Sequence, residues 1–328
     1  MRPMRAIAVV FATLVALAAA AQEPAVAQEP YPSRPIRLVI DTSPGGVTDL
    51  FGRLVAESLP RKLGQTVYVD NKPGASGNVA IDFLVRSPAD GYTLMIASGG
   101  GIVVKPFLER GLTFDVMQDL LPVCNIAEVA HILVVPESVP VKDVAQFIRW
   151  AKERPGKVNY GSAGIGSPPH LSMELFARVA GLKLMHVPYK GVGGALPDLL
   201  AGRVQIMSMA VGSARPYLKS GQLRPLAAGA SHRLAMLPDV PTAEEAGVAG
   251  WQMSAWFGVF APRGTPAEIV QLVNTKLQAV VAEPQVRQRL YDAGAEPIGG
   301  STESFAERYR ADYRMWGQFI RDIGLKTE

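Results

Sequence analysis

Short β-rich runs alternate with segments of helical periodicity across glycine-rich turns, and the alternation passes through the chain twice. Ile36-Arg37-Leu38-Val39-Ile40 predicts a strand, broken by Ser43-Pro44-Gly45-Gly46-Val47. Leu50, Phe51, Leu54, Val55 and Leu59 then recur at helical spacing up to Pro60. Val67-Tyr68-Val69 predicts a second strand, Ala80 to Arg86 a second helix, and Thr93 to Ala97 a third strand closed by Ser98-Gly99-Gly100-Gly101. Such an order predicts parallel βαβ units. The pattern restarts with a strand at Ile132 to Val135, a helix over Val141 to Glu153 and a strand at Val158 to Tyr160. A helix from Pro168 to Ala180 follows, with Leu171, Leu175, Phe176 and Val179 on one face. Leu184 to Val187, Val204 to Ser208, Leu223 to Ala227 and Trp256 to Phe260 are further strands, and the remainder is mainly helical. Two α/β lobes fit this order, with the chain crossing between them near 128–136 and 250–260.

Composition narrows the function. With 48% hydrophobic and 19% charged residues in 328, the chain can bury a core and is not a disordered polymer. The net charge of +4 is spread without a basic run, which excludes a nucleic-acid partner. A single cysteine, Cys124, forbids an internal disulfide and a cysteine-based zinc cluster, and four histidines leave little for a metal site. No metal and no cofactor are expected. At the N-terminus, Arg2 and Arg5 precede an apolar run from Ala6 to Ala21, shorter than the roughly 20 residues of a membrane span. Ala25-Val26-Ala27 is a small-residue cleavage pattern, so residues 1–27 are expected to be a signal peptide and the mature protein periplasmic. An uncleaved anchor is the alternative.

Three glycine-rich loops, at 43–49, 98–101 and 162–170, each join a strand to a helix. Ligands bind at such places in open α/β sheets, because the first helical N–H groups are unpaired and the helix dipole favours an anion. Gly45 and Gly46 allow close backbone approach. Asp49 and Ser167 are either ligand contacts or plain helix caps. His170 is equally a structural or a ligand-binding histidine. The chain lacks G-x-S-x-G, P-loop, H-E-x-x-H and G-x-G-x-x-G patterns. Ser162, Ser167 and His170 form a hydrolase set only if an orienting acid joins them. Cys124 reads as a buried small residue, and Trp256-Phe257 as core.

The stretches Tyr31-Pro32-Ser33-Arg34-Pro35-Ile36-Arg37-Leu38-Val39, Pro44-Gly45-Gly46-Val47-Thr48-Asp49, Asn71-Lys72-Pro73-Gly74-Ala75-Ser76-Gly77-Asn78, Lys157-Val158-Asn159-Tyr160-Gly161-Ser162, His186-Val187-Pro188-Tyr189-Lys190-Gly191 and Ala255-Trp256-Phe257-Gly258 stand in one order. Together they resemble the substrate-binding proteins of tripartite tricarboxylate transporters, the Bug family. The resemblance implies a two-lobed periplasmic binding protein (type II-like), each lobe a β-sheet flanked by helices, with the ligand in the interlobe cleft. It implies lobe 1 at 31–128 plus 254–328 and lobe 2 at 129–253. It implies a receptor, not an enzyme, that hands a small carboxylate to integral-membrane permease subunits; a monomer is the default expectation, carried by no motif. A sensor of ligand for a membrane signalling protein and a periplasmic hydrolase are the alternatives.

Carried over by position, the family's ligand contacts fall on Ser43, Gly45, Gly46 and Asp49 in the first loop and on Ser162, Gly164, Ser167 and His170 in the second. Asn78 and Ser98 match further cleft positions. The family often has Phe-Pro-Pro-Gly-Gly where this chain has Thr42-Ser43-Pro44-Gly45-Gly46, and Asp-Asn where Met209-Ala210 stands. Losing those polar side chains disfavours a hydroxylated or amino-bearing ligand, and Met209 offers an adaptable apolar wall. The expected ligand is a mono- or dicarboxylate with an apolar body, such as terephthalate.

Overall fold

The computed structural model describes residues 31–109 and 111–324. The expected signal peptide lies outside the described residues. Strand β1 (Ile36–Ile40) leads through the first loop into α1 (Val47–Ser58), then β2 (Val67–Asn71), α2 (Asn78–Val85) and β3 (Thr93–Ser98). β1 pairs in parallel with both β2 and β3, as the βαβ pattern predicts. Beyond β3 the chain takes a π-helical turn at Gly100–Val104, which begins within the expected 98–101 loop.

Next comes β4 (Leu120–Pro136), a strand far longer than the Ile132 to Val135 run. Its first part pairs antiparallel with β9 (Ser254–Pro262), up to Ala130 opposite Ser254. Its second part, from His131, pairs antiparallel with β7 (Ile206–Ala210) and β8 (Leu223–Ala228). The second half of the fold runs from α3 (Val144–Lys152) and β5 (Asn159–Ser162) through α4 (Pro168–Ala180), β6 (Met185–Pro188) and α5 (Val192–Leu200). After β7 come α6 (Val211–Lys219) and β8. β5 pairs in parallel with β6 and β7. After β9 the chain returns to the first half through α7 (Ala267–Val281), α8 (Pro284–Asp292), β10 (Glu296–Gly299) and α9 (Thr302–Asp322).

The sheet is therefore mixed, in the order β2-β1-β3-β9-β4-β7-β5-β6, with β8 and β10 also on β4. Parallel pairing holds on the flanks, and the crossing strands are antiparallel. The ladder shifts register at Pro122/Cys124 and Asn125/Ala127, and the first bulge accommodates Pro122, which has no N–H to donate.

One apolar cluster runs through both halves, from Val39 and Met95 to Leu133, Phe147, Tyr160 and Trp251. Trp256, Phe260, Phe305 and Tyr309 stack edge to face within it. A second cluster lies under β7, β8 and α5. Cys124 is fully buried, and burial pushes its thiol up to about 12. Two residues placed on apolar faces by periodicity are exposed: Leu50 on α1 and Val179 on α4. Among the described residues no helix is long and apolar enough to cross a membrane.

Candidate ligand-binding site

The C-terminal ends of β1 and β3 emerge side by side, because Ile40 registers with Ile96. They carry the first loop and the 98–101 loop. In the other half, Ser162 at the end of β5 registers with Pro188 at the end of β6, so the second loop lies beside Tyr189. The Tyr189 N–H donates to Ser162 O at 3.2 Å.

In the first loop Gly45 takes a left-handed φ of +92° with open space where a Cβ would stand. Gly46 is the N-cap of α1 without a side-chain cap. Asp49 lies within the first turn of α1, only 3% exposed. Its Oδ2 accepts the Gly45 N–H and Arg53 Nε, each at 2.9 Å, and its Oδ1 accepts Asn71 Nδ2 at 2.9 Å. Burial pushes this carboxyl up, but the Arg53, Gly45 and Asn71 bonds outweigh it and hold the pKa at about 2. Asp49 therefore braces the loop against α1 and β2, with both oxygens occupied. Ser43 is exposed on the loop surface.

Asn78 opens α2, and its amide is engaged within the same half: Nδ2 donates to Glu109 at 2.7 Å and Oδ1 accepts Lys105 Nζ at 3.3 Å. Lys105 Nζ also donates to Ala75 O at 2.7 Å and pairs with Glu109 at 3.5 Å. Beneath these groups sits Asp41, a residue the sequence did not single out. It is 7% exposed, and burial raises its pKa to about 6, against the opposing effects of its own backbone, Lys105 and the Ser98 backbone. Asp41 Oδ1 and Thr42 Oγ1 are sealed from solvent without a hydrogen-bond partner among the described residues.

In the second loop the serine hydroxyls are engaged internally. Ser167 does not cap α4; its hydroxyl donates to Gly164 O at 2.6 Å. Ser162, fully buried, contacts His186 Nε2 at 2.6 Å and accepts the Gly164 N–H at 3.1 Å. His170, 6% exposed, accepts the Gly166 N–H on Nδ1 at 3.1 Å. Pro168 and Pro169 occupy the first turn of α4 and have no N–H, so helix α4 offers an anion fewer donors than its position suggests. No hydrolase triad assembles from Ser162, Ser167 and His170.

A cavity of about 470 Å³ opens between the halves. Ser98 to Gly101, Val103, Val104 and Lys105 line one side, and Ile165 to Pro168 and Leu171 the other. Met253 to Trp256, Asp312 and Trp316 close it. Ser98 and Ser167 thus reach one cavity from opposite sides. Ser43, Gly45, Gly46, Asp49, Asn78, Ser162, Gly164 and His170 are not among its lining residues. Met209 stands apart: it is 1% exposed and packs with Met207, Ile132 and Leu199 in the second core cluster. Residues 207 and 209 share a face of β7, and that face is covered by α5 and α6. The apolar lining of the cavity comes from Val103, Val104, Leu171, Trp256 and Trp316. Trp256 is held by its indole N–H to Asp312 at 2.8 Å, and Arg308 ties Asp312 at 2.9 Å to Glu128 on β4 at 3.1 Å. Among the described residues no cluster of His, Cys, Asp and Glu suits a metal ion.

Comparison with known proteins agrees with this architecture. Residues 51–325 match the model of the tripartite tricarboxylate transporter family receptor. Protein BugT of Bordetella pertussis is 33% identical over 304 residues, covering 92% of this chain and 93% of its own. The solved structure of R. palustris Rpa4515 with adipate is 38% identical, covers 90% of this chain and 100% of its own, and superposes with a TM-score of 0.72. MatC (Rpa3494) from Rhodopseudomonas palustris with bound malate is 31% identical over 88% of this chain and 100% of its own, with a TM-score of 0.67. The chain is a receptor by kinship rather than an enzyme, and it belongs to the tripartite tricarboxylate transporter receptor family.

Proposed function

We propose that this protein is a periplasmic receptor that closes on a small carboxylate with an apolar body and delivers it to the membrane subunits of a tripartite transporter. The observation that carries the reading is the cavity between the halves. Its volume suits a small molecule, its walls are mainly aliphatic and indole, and the 98–101 and 165–168 loops meet there from opposite sides. Adipate and malate in the related structures support a carboxylate ligand. The two tryptophans, Val103, Val104 and Leu171 favour an aromatic or long aliphatic body, terephthalate being the simplest aromatic case. Lobe 1 is assigned to 31–128 plus 254–328 and lobe 2 to 129–253, with β4 and β9 as the hinge and a monomer as the working unit. Ligand shifts the open–closed population by its differential affinity for the closed form.

The direct experiment is thermal denaturation of the mature protein with adipate, malate, citrate, glutamate, nicotinate, benzoate and terephthalate. A ligand at about 100 times its dissociation constant adds about 2.7 kcal/mol. A rise in melting temperature with an aromatic or aliphatic carboxylate supports the reading. Citrate binding far more tightly than every apolar carboxylate ends the apolar-body version, and silence across the panel ends the assignment of this ligand class.

A further inference from the structure

Three rings stack behind the second loop. Tyr160 and His186 lie 4.8 Å apart between centroids at 11°, and His186 and His170 lie 4.2 Å apart at 25°. A backbone N–H can only donate, so the Gly166 N–H bond requires an unprotonated Nδ1 on His170. Ser162 Oγ receives the Gly164 N–H; its own proton is in reach of Gly164 O at 3.2 Å and of His186 Nε2 at 2.6 Å, and the shorter contact takes it while that nitrogen is unprotonated. One imidazole thus holds the loop at Gly166 directly and the other holds it at Gly164 through Ser162. Both glycines have left-handed φ, +119° and +75°, and Ile165 between them faces the cavity.

A receptor for an anion would gain from an imidazolium at this place, yet both rings are arranged as acceptors. We infer that His170 and His186 are positioning residues, a latch that presents the 163–167 loop to ligand only while both imidazoles are neutral, so that acidification releases the carboxylate. The inference rests on the receptor reading for its ligand step alone. Burial keeps both rings uncharged at neutral pH: it lowers His170, and together with His170 it brings His186 to about 4. Glu174 on α4, hydrogen-bonded to the Tyr160 hydroxyl on β5, is the charged group facing the pair, and its attraction works against both downward shifts. Protonation of His170 at Nδ1 sets one N–H against another and brings a cation against His186. Both changes free the loop.

The latch is tested first without ligand, by nitrogen-15 spectra of the imidazoles and of the Gly164 and Gly166 amides in the mature protein. The expected result is His170 as the neutral Nε2–H tautomer, with both glycine amides moving at the imidazole midpoints as pH falls from about 7.5 to about 3. Glycine amides that stay still while the imidazoles titrate overturn the latch, whatever the ligand panel shows. The second arm uses whichever of adipate and terephthalate binds. Affinity is expected to fall at least about tenfold on acidification in the natural protein. His186→Gln keeps an acceptor for Ser162 that does not titrate, and it should bind at neutral pH with a shallower profile, since His170 alone still titrates. His186→Phe should bind weakly at every pH. His131, buried against Ser208 and held at about 4, is unchanged in both variants. A profile as steep in His186→Gln as in the natural protein therefore refutes the assignment to the latch. Failure of both ligands to bind would sink the receptor reading while the amide titration still decides the latch.

Discussion

Replacing Asp49 by asparagine isolates the brace under the first loop. The carboxylate accepts three hydrogen bonds, from Gly45, Arg53 and Asn71, on two oxygens. An amide in the same place must turn its NH₂ toward at least one of these donors. Turning Asn71 to compensate would break its bond to Thr42 O at 3.0 Å. Arg53 is 51% exposed, so its pairing is screened and contributes less than about 1 kcal/mol. The part-buried Gly45 and Asn71 bonds carry most of the effect, and Asp49→Asn should cost about 2–3 kcal/mol. For a chain of this size that lowers the melting temperature by roughly 4–8 °C. The pH dependence supplies a sharper test. A folded-state pKa of about 2 lies below the ordinary value of about 3.9. The stabilisation is therefore complete above about pH 4 and disappears as pH falls through about 2. Urea denaturation of both proteins from pH 7 to pH 3 should show a constant gap down to about pH 4, then a narrowing one. A variant melting within about 1 °C of the natural protein, or a gap that stays constant into the acid range, refutes the brace.

Other substitutions address different parts of the molecule. Gly258→Ala places a Cβ against the edge of the Phe305 ring, far inside van der Waals contact, so calorimetry should record a loss of about 1–3 kcal/mol; an unchanged melting temperature would mean that α9 shifts freely. Ser167→Ala removes the bond to Gly164 O and should weaken binding of the panel's best carboxylate by about 0.5–2 kcal/mol in titration calorimetry, and equal affinity would detach the hydroxyl from the site. Cys124 should resist an aromatic disulfide reagent at neutral pH until the protein unfolds, since burial keeps its thiol protonated; rapid labelling of the native state would contradict that burial.

Much of the scaffold was legible in the sequence because local signals and tertiary demands agree there. β1 and α4 take the predicted limits, each bounded by turn residues that suit the observed backbone. β4 was hidden for two reasons: both its faces are covered, which removes the alternation that marks a strand, and Pro122 argues against one. The loops around the cavity were legible from their glycines, but the duties of their side chains were not. Asp49 reads as a cap, and only the pairing of β2 beside β1 brings Asn71 to its second oxygen. Ser167 has the position of a cap and spends its hydroxyl on Gly164. His186 meets His170 through β5–β6 pairing, which no local pattern announces. Met209 lies outside the cavity lining because the side of β7 that faces helices is set by the whole second half.

The sharing of β4 between the halves has a thermodynamic consequence. Its ladder passes from β9 to β7 and β8 at Ala130 and His131, and the main apolar cluster crosses at the same level. Melting of either half would leave an edge of the shared strand unpaired in the other. Heat denaturation is therefore expected to be a single cooperative event, with van't Hoff and calorimetric enthalpies equal. A ligand gripping either loop would then protect the entire molecule, and one melting temperature would report occupancy of the cavity.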